Sequence, residues 1–452
     1  MYTPLTPDER QAMLQAIGVE RIEDLFADVP ARYRYPKLNL PPAMSEMEVT
    51  AEMQNLAEAN LTVQDFITFL GAGAYHHYIP AAVDHILRRG EFYTAYTPYQ
   101  PEVSQGTLHA IFEFQSLVCA LTGMETANAS MYDGATAVAE AVNMAYHVFR
   151  GKRPKAVLSS ALHPQYLATV HTYYDASDRE IVVPHEGDPT PGPDALIEAI
   201  DERTSLVMVQ YPDFLGRVYD LSALAQAAHD KGALFGVAVN PLALGLLKPP
   251  GDFGADIVTA EGQPLGIPLS FGGPYVGLFA TRKKYVRKMA GRIVGETVDT
   301  RGQRAYVLTL TAREQHIRRA RATSNICTNN ALMALAATVY LGLLGKDGLR
   351  KVAEINYHKA HYAAQRLASL EGYELAFPEV PFFNEFTLKT PLPVAEINRR
   401  LLDYGILGGY DLAQDFPHLD RHMLIAVTEM NSKDQIDLLA SALDEIARDA
   451  AA

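Results

Sequence analysis

From about residue 100 onward, short apolar runs alternate with stretches whose apolar residues recur at helical spacing. One helix is predicted after Ser104 and ends at Gly123, and a second extends from Ala135 to Phe149. The short runs, each typical of a strand buried on both faces, are Ala156–Leu158, Ile181–Val183, Leu206–Val209, Leu234–Val239, Ile257–Val258 and Val276–Phe279. Strands that alternate with helices in this way predict an α/β fold with a mostly parallel sheet.

The flanking regions follow other patterns. Residues 1–60 contain two short helical stretches and a segment rich in Pro, Tyr and Arg, and we interpret them as an N-terminal arm that lies over another surface. Residues 61–325 carry the α/β pattern and form the predicted large domain. Residues 326–452 begin with a long apolar helix from Ala331 and continue with mixed strands and helices. They are expected to form a linking helix and a smaller C-terminal α+β domain.

Composition limits the classes of partner. The chain has 39 basic and 53 acidic residues and a formal charge of −14, which argues against nucleic acid or an anionic membrane. Cys119 and Cys327 lie far apart, so neither a disulfide framework nor a zinc site is indicated, and no metal is expected. The N-terminus does not resemble a secretory signal, and no run of 18 apolar residues predicts a membrane span. We therefore expect a cytoplasmic protein.

The segment between Lys248 and Arg282 contains no lysine. It consists of a short β-branched strand, a polar loop around Gln263 and a Gly-Gly-Pro turn at residues 272–274. Many pyridoxal-phosphate (PLP) enzymes place their Schiff-base lysine in such a setting, and the amide of Gln263 cannot replace an amine nucleophile. The chain therefore has the scaffold of such a site without its reacting atom, which indicates a subunit that assists another chain.

Four longer strings are far more specific. They are Tyr96–Gly106, Asn128–Ala137, Pro249–Gly251 with Gly254–Ile257, and Ala322–Asn329. Together they resemble the glycine decarboxylase, or P-protein, family of the glycine cleavage system, and the length and content are similar to subunit 1 of its two-subunit form. The resemblance implies a fold-type-I PLP-dependent transferase-like architecture.

The resemblance also implies a disused cofactor pocket in this chain. Gly134, Ala135 and Thr136 would lie where the cofactor phosphate meets a helix N-terminus, although plain capping by Asp133 or Thr136 explains the same residues. His163 would stack on the pyridine ring. Asn240 stands where the fold usually places an aspartate as countercharge, and Gln263 stands in place of the lysine.

A second set of residues is expected to complete the partner's site, because dimers of this fold pair face to face. Tyr96, Tyr99 and Gln100 are predicted to form the wall of a neighbouring glycine and cofactor site. Further candidates are Glu102, Ser104 and Gln105, of which Ser104 also fits a helix cap. Thr323, Ser324 and Asn325 could donate to the partner's cofactor phosphate or could cap the following helix.

The resemblance implies that a PLP-bearing subunit 2 decarboxylates glycine, releases CO2 and passes the aminomethyl group to the lipoyl group of the H protein, in an α2β2 heterotetramer. PLP is then expected on the partner and not covalently on this chain. Two alternatives stay open. The chain could be an independent enzyme that uses Lys248 or Lys283, or a purely structural component of an oligomer.

Overall fold

The computed structural model describes residues 5–451, and these fall into two compact units, residues 5–61 and 62–451. The described helices are α1 (Pro7–Ile17), α2 (Glu46–Glu58), α3 (Ala81–Leu87), α4 (Gly90–Tyr93), α5 (Gln105–Thr122), α6 (Gly134–Val148), α7 (Pro164–Tyr174), α8 (Ser222–Asp230), α9 (Gln315–Arg318), α10 (Ala331–Ala368), α11 (Val394–Leu401) and α12 (Lys433–Ala451). The described strands are β1 (Ile67–Thr68), β2 (Thr126–Ala127), β3 (Lys155–Leu158), β4 (Glu180–Val182), β5 (Thr204–Tyr211), β6 (Leu234–Val239), β7 (Ile257–Glu261), β8 (Gly277–Thr281), β9 (Ile293–Val298), β10 (Arg304–Thr309), β11 (Glu374–Leu375), β12 (Glu385–Lys389), β13 (Ile406–Leu407), β14 (Tyr410–Asp411) and β15 (His422–Ala426).

The larger unit is built on a seven-stranded sheet in the order β2-β8-β7-β6-β5-β3-β4. The strands β4, β3, β5, β6 and β7 run parallel, whereas β8 is antiparallel to both of its neighbours. Every residue of β6 is buried, and separate apolar clusters cover the two faces of the sheet. This is the mostly parallel, two-sided arrangement that the apolar runs predict.

The C-terminal part has its own antiparallel sheet, in the order β11-β12-β15-β14, and its own apolar cluster. Helix α10 leads into it and bends at Gly345, whose φ of 58° is outside the helical region. By length and composition α10 could also cross a membrane, but core helices of soluble proteins pass the same test, and this helix contributes buried residues to three of the apolar clusters. The boundary at 325/326 stays a prediction, because residues 62–451 form one unit.

The N-terminal unit has well-formed helices and almost no core. Thr6 and Glu9 form a capping box at α1, and Ser45 and Glu48 form another at α2. Among the described side chains of this unit, only Leu14 is buried. Helix formation here therefore depends on local capping, and the apolar side chains are left exposed.

Candidate functional site

The predicted pocket residues meet at the carboxyl edge of the parallel strands, where ligands of α/β proteins usually bind. Asn240 follows β6, Glu261 ends β7, and His163 follows β3 and begins α7. Together with Gly73 of a distant loop they line a cavity of about 30 Å³, which we call the filled pocket. Small-molecule sites usually measure about 300–1,000 Å³, so this cavity has room for a water molecule or two and is too small for a cofactor.

Helix α6 begins at this pocket, and a carboxylate of the chain itself occupies its N-terminus. Asp133 caps the helix by accepting from the Thr136 amide at 2.7 Å. The amide of Gly134 donates to Glu261 Oε2 at 2.9 Å, and Ala135 follows in the first turn. An exposed helix N-terminus binds anions such as phosphate. At α6, a carboxyl oxygen of Glu261 occupies that place, and the cap by Asp133 is the simpler explanation that the sequence analysis also gave.

Glu261 also accepts from the backbone amides of Gln263 and Val276, at 3.2 Å each. Burial raises its pKa to about 7, against an ordinary value of 4.5, although these three amide donors oppose the shift. Burial, reinforced by Glu261, also raises the pKa of the neighbouring Tyr166 phenol. The hydrogen-bond donors around Glu261 are thus already satisfied by the chain without a ligand.

Gln263, in the position expected for a lysine, is 1% exposed and has a structural role. Its Oε1 accepts from the Tyr75 amide at 2.9 Å, and its Nε2 donates to the carbonyls of Tyr75 and Ile267 at 2.9 and 2.8 Å. The amide therefore pairs with the backbone of Tyr75 much as a strand would. It holds residues 71–77, which we call the plug segment, against the pocket.

Other contacts fix the plug segment. Tyr75 donates its hydroxyl to Glu385 Oε2 at 2.6 Å, and the Ala72 amide donates to Glu385 Oε1 at 2.7 Å. Burial raises the pKa of Glu385 to about 7. Because the buried ring of Tyr75 and the glycine-rich backbone beside it lie at the pocket, the plug segment limits its volume.

His163 and Asn240 complete the filled pocket in roles other than those the resemblance implies. His163 Nδ1 accepts from the Gln165 amide at 3.1 Å, so Nε2 carries the proton and donates to the Ala72 carbonyl at 2.8 Å. Burial lowers the pKa of this histidine, and its ring stacks on Tyr166 at 4.9 Å. Asn240 Oδ1 accepts from the Leu242 amide in a local turn.

These residues do not fit PLP. The volume is too small, a carboxylate stands at the phosphate position, and Gln263 offers no amine. The alternative lysines are not placed to supply the amine, because Lys248 and Lys283 are exposed and line no part of the filled pocket. Lys283 follows β8, whose last residue pairs with the first residue of β7, so it lies at the opposite edge of the sheet.

A larger opening lies elsewhere in the same unit. It has a volume of about 350 Å³ and is bounded by residues 92–98, α5, Arg292, residues 328–330 and the start of α10. We call it the open cleft. Tyr96 lines it and is 87% exposed, Gln100 is exposed, and Tyr99 is half exposed and accepts a hydrogen bond from Arg292 Nη2 at 3.3 Å. These three predicted wall residues are thus free to meet another molecule.

Of the three neighbouring candidates, Gln105 is engaged within the chain. Gln105 pairs with the backbone amide and carbonyl of Tyr306 at 2.9 and 2.8 Å, Ser104 is the N-cap residue of α5 without a side-chain cap bond, and Glu102 is exposed. Ser104 is thus the N-cap residue of this helix, as predicted, although its hydroxyl makes no cap hydrogen bond.

Residues 323–325 do not cap α10, whose N-cap is Asn330. The carbonyl of Thr323 accepts a hydrogen bond from the side chain of Asn143, and the side chain of Ser324 forms a hydrogen bond with that of Glu140. Asn325 is exposed. Their predicted role toward a partner's phosphate stays a prediction. Within the described residues, no group of three or more His, Cys, Asp or Glu side chains could hold a metal.

Sequence reasoning missed Glu261, the plug segment and Arg292. Glu261 could have been found, because it is a carboxylate at a strand end two residues before Gln263. Tyr75 and Glu385 could not, because they lie 188 and 122 residues from Gln263 in sequence and carry no motif.

Comparison with known proteins places this architecture in a family. A sequence profile described as the glycine cleavage system P-protein matches residues 1–443. The probable glycine dehydrogenase (decarboxylating) subunit 1 of Thermomicrobium roseum is 53% identical over 446 residues, covering 98% of this chain and 99% of the relative. The corresponding protein of Geobacillus kaustophilus is also 53% identical, with 98% of each chain covered.

Solved structures agree. A glycine decarboxylase (P-protein) of the glycine cleavage system, in inhibitor-bound form, has a TM-score of 0.90, 43% identity, and coverage of 99% of this chain and 100% of that one. A NifS-like protein, at 14% identity, has a TM-score of 0.62 over 85% of this chain and 99% of that one, and shows the fold alone. The predicted fold-type-I architecture and the predicted relationship are both confirmed. The chain belongs to the glycine cleavage system P-protein family, in which it is similar to subunit 1 of glycine dehydrogenase (decarboxylating).

Proposed function

We propose that this chain works as the subunit without a cofactor of its own in a glycine-decarboxylating enzyme. Its partner is a subunit 2 that carries PLP, and the pair releases CO2 from glycine and passes the aminomethyl group to the lipoyl group of the H protein. The observation that carries the proposal is the filled pocket. A chain of this family whose own cavity measures about 30 Å³, is lined by Glu261 and is flanked by the plug segment that Gln263 holds must use a cofactor held elsewhere.

In this proposal the cofactor supplies an electron sink for the loss of CO2. This chain contributes side chains that line the partner's site. Tyr96, Tyr99 and Gln100 form an exposed strip beside the open cleft, and we assign them to the neighbouring glycine and cofactor site, where they orient the substrate and exclude water. Exposed aromatic side chains of this kind are typical of surfaces that become buried on association.

The assembly we propose is an α2β2 heterotetramer in the cytoplasm. The relatives' designation as a subunit 1 supports a second kind of chain. The two free cysteines and the acidic composition are compatible with a reducing compartment.

Reconstitution tests the proposal. The full chain alone should catalyse almost no glycine–CO2 exchange, and addition of subunit 2 and PLP should give exchange. Borohydride reduction followed by mass spectrometry of the separated chains should find the PLP adduct on subunit 2. A reducible adduct on this chain, or exchange by this chain alone, would refute the assignment.

Substitution of the wall separates this function from a purely structural role. Tyr96→Phe and Tyr99→Phe in the reconstituted enzyme should each lower kcat/KM for glycine by roughly tenfold or more, equivalent to about 1.4 kcal/mol. Tyr78→Phe is the matched control, since Tyr78 is similarly exposed and lies outside the open cleft. Unchanged turnover in both wall variants would favour the structural alternative.

A further inference from the structure

Arg292, just before β9, is 5% exposed, and most of its hydrogen-bonding capacity is unused. Among the described residues, its Nε and Nη1 atoms have no hydrogen-bond partner. Nη2 makes one long bond, 3.3 Å to the Tyr99 hydroxyl. The nearest carboxylate oxygen, Glu314 Oε2, is 3.9 Å from Nε, too far for a hydrogen bond.

Such an arrangement is costly in a closed protein core. A buried charge left without its partner typically costs several kcal/mol, and most buried polar groups are satisfied. Glu314 is also buried, and its Oε1 atom has no partner within the described chain. The pair is thus not arranged as a simple closed ion pair, and the guanidinium retains free donors.

The free donors of Arg292 lie beside an open space that a ligand can enter. It lines the open cleft of about 350 Å³, and it is the only formally charged residue among the described residues that do so. The other walls are aromatic, aliphatic or neutral polar. Tyr99 contacts the guanidinium with its ring, 5.8 Å from Cζ to the centroid, and is itself half exposed. A small displacement of this tyrosine would open the guanidinium to the cleft.

The local structure fixes Arg292 firmly. Two glutamines of α5 each pair with both backbone groups of one residue in the β9–β10 hairpin: Gln115 with Val294, and Gln105 with Tyr306. Arg313 donates to the carbonyls of Met289 and Gly291. The strand that follows Arg292 and the loop that precedes it are therefore both held, which is the preorganisation that a binding group needs.

We propose that Arg292 is an oxyanion receptor, whose planar guanidinium binds a carboxylate or a phosphate that enters the open cleft. The inference rests on the proposed function, because the two anions of that reaction are the glycine carboxylate and the cofactor phosphate. The competing explanation is that Arg292 serves only as the countercharge of Glu314.

The site is tested first on the full chain alone. Inorganic phosphate or acetate should raise the melting temperature of the wild type above its value in chloride at equal ionic strength. The rise should be lost in Arg292→Lys, which keeps the charge near Glu314 but loses the planar fork, and kept in Arg301→Lys, a matched change at an exposed turn. No anion-specific rise in the wild type, or an equal rise in Arg292→Lys, overturns the proposal.

The complex with subunit 2 then identifies the anion. For a phosphate ligand, Arg292→Lys should raise the dissociation constant of PLP, measured by absorbance titration, by about tenfold or more. For a carboxylate ligand, the KM for glycine should rise by a similar factor with PLP binding unchanged. If neither moves, or if only the affinity between subunits falls, the proposal is overturned. An inactive wild-type complex whose chain still shows the anion-specific rise refutes the proposed function and not the anion site.

Discussion

At the residue scale, Gln263 and Glu261 fix the structure around the filled pocket. Gln263 uses both ends of its amide on the backbone of the plug segment, and Glu261 places a carboxylate at the N-terminus of α6. Both side chains are therefore part of the packing around the filled pocket.

A lysine at position 263 should therefore not create a PLP-binding site. Gln263→Lys removes the acceptor for the Tyr75 amide and introduces a charge at a position that is 1% exposed. We expect the free energy of unfolding to fall by about 1–3 kcal/mol, with no covalent PLP. Denaturant titration measures the first, and borohydride reduction with mass spectrometry the second. A stable adduct on the variant would show that the pocket is open.

Glu261 should make stability depend on pH. Its pKa is raised from 4.5 to about 7 in the folded chain, so the folded state binds a proton more tightly than the unfolded state. The free energy of unfolding should then fall as pH rises from about 4.5 to about 7, by at most about 3 kcal/mol, and this contribution should be constant above that range.

Glu261→Gln should flatten this fall, and Glu371→Gln, at an exposed carboxyl, should leave it unchanged. Glu385, whose pKa is also raised to about 7, contributes with the same sign, so part of the slope should remain in the first variant. Denaturant titrations across the range measure the slope. An unaltered slope in Glu261→Gln would mean that this carboxyl titrates normally.

At the element scale, local patterns predicted most helices and the parallel strands, because the spacing of apolar residues is a property of the segment itself. The helix predicted from Ala135 to Phe149, which the structure has as α6 at Gly134–Val148, is an example. The β9–β10 hairpin was not predicted, since its strands are held to α5 by Gln105 and Gln115, and nothing in a glutamine's sequence context signals such pairing.

The start of α6 offers a test of close packing. A methyl group on Gly134 would lie 2.6 Å from the Tyr166 hydroxyl and 2.9 Å from the Glu261 amide nitrogen, so Gly134→Ala should cost about 1–3 kcal/mol. Gly106→Ala, in the first turn of α5, meets nothing within 4 Å and should be neutral or gain up to about 1 kcal/mol. Thermal denaturation compares the two. Equal effects would show that the entrance to α6 is loosely packed.

At the scale of the whole molecule, the N-terminal unit has exposed apolar side chains and almost no core. Leu38, Leu40 and Met47 are 66%, 72% and 79% exposed. Large exposed apolar areas usually mark an interaction surface. We interpret the unit as the arm that covers a partner, as the sequence suggested, and this interpretation stays a prediction.

Deletion of residues 1–60 should weaken association with subunit 2, by roughly tenfold or more in the dissociation constant, and leave the fold of residues 62–452 intact. Sedimentation velocity measures association, and circular dichroism controls for folding. A substitution control is Met47→Ser with Leu40→Ser, which should weaken association in the same direction. Undiminished association of both the deletion and the double variant would show that the arm is not part of the interface.

The sequence by itself determined the class of fold, the family and the absence of lysine between Lys248 and Arg282, because apolar periodicity, long motifs and the absence of one residue type can all be read locally. Only the tertiary structure decided what fills the pocket and which guanidinium nitrogens lack hydrogen-bond partners among the described residues. Tyr75 and Glu385 reach the filled pocket from 188 and 122 residues away from Gln263, and the orphaned donors of Arg292 depend on distances to Tyr99 and Glu314. Contacts between segments so far apart are set by how the chain packs, and no local pattern encodes them.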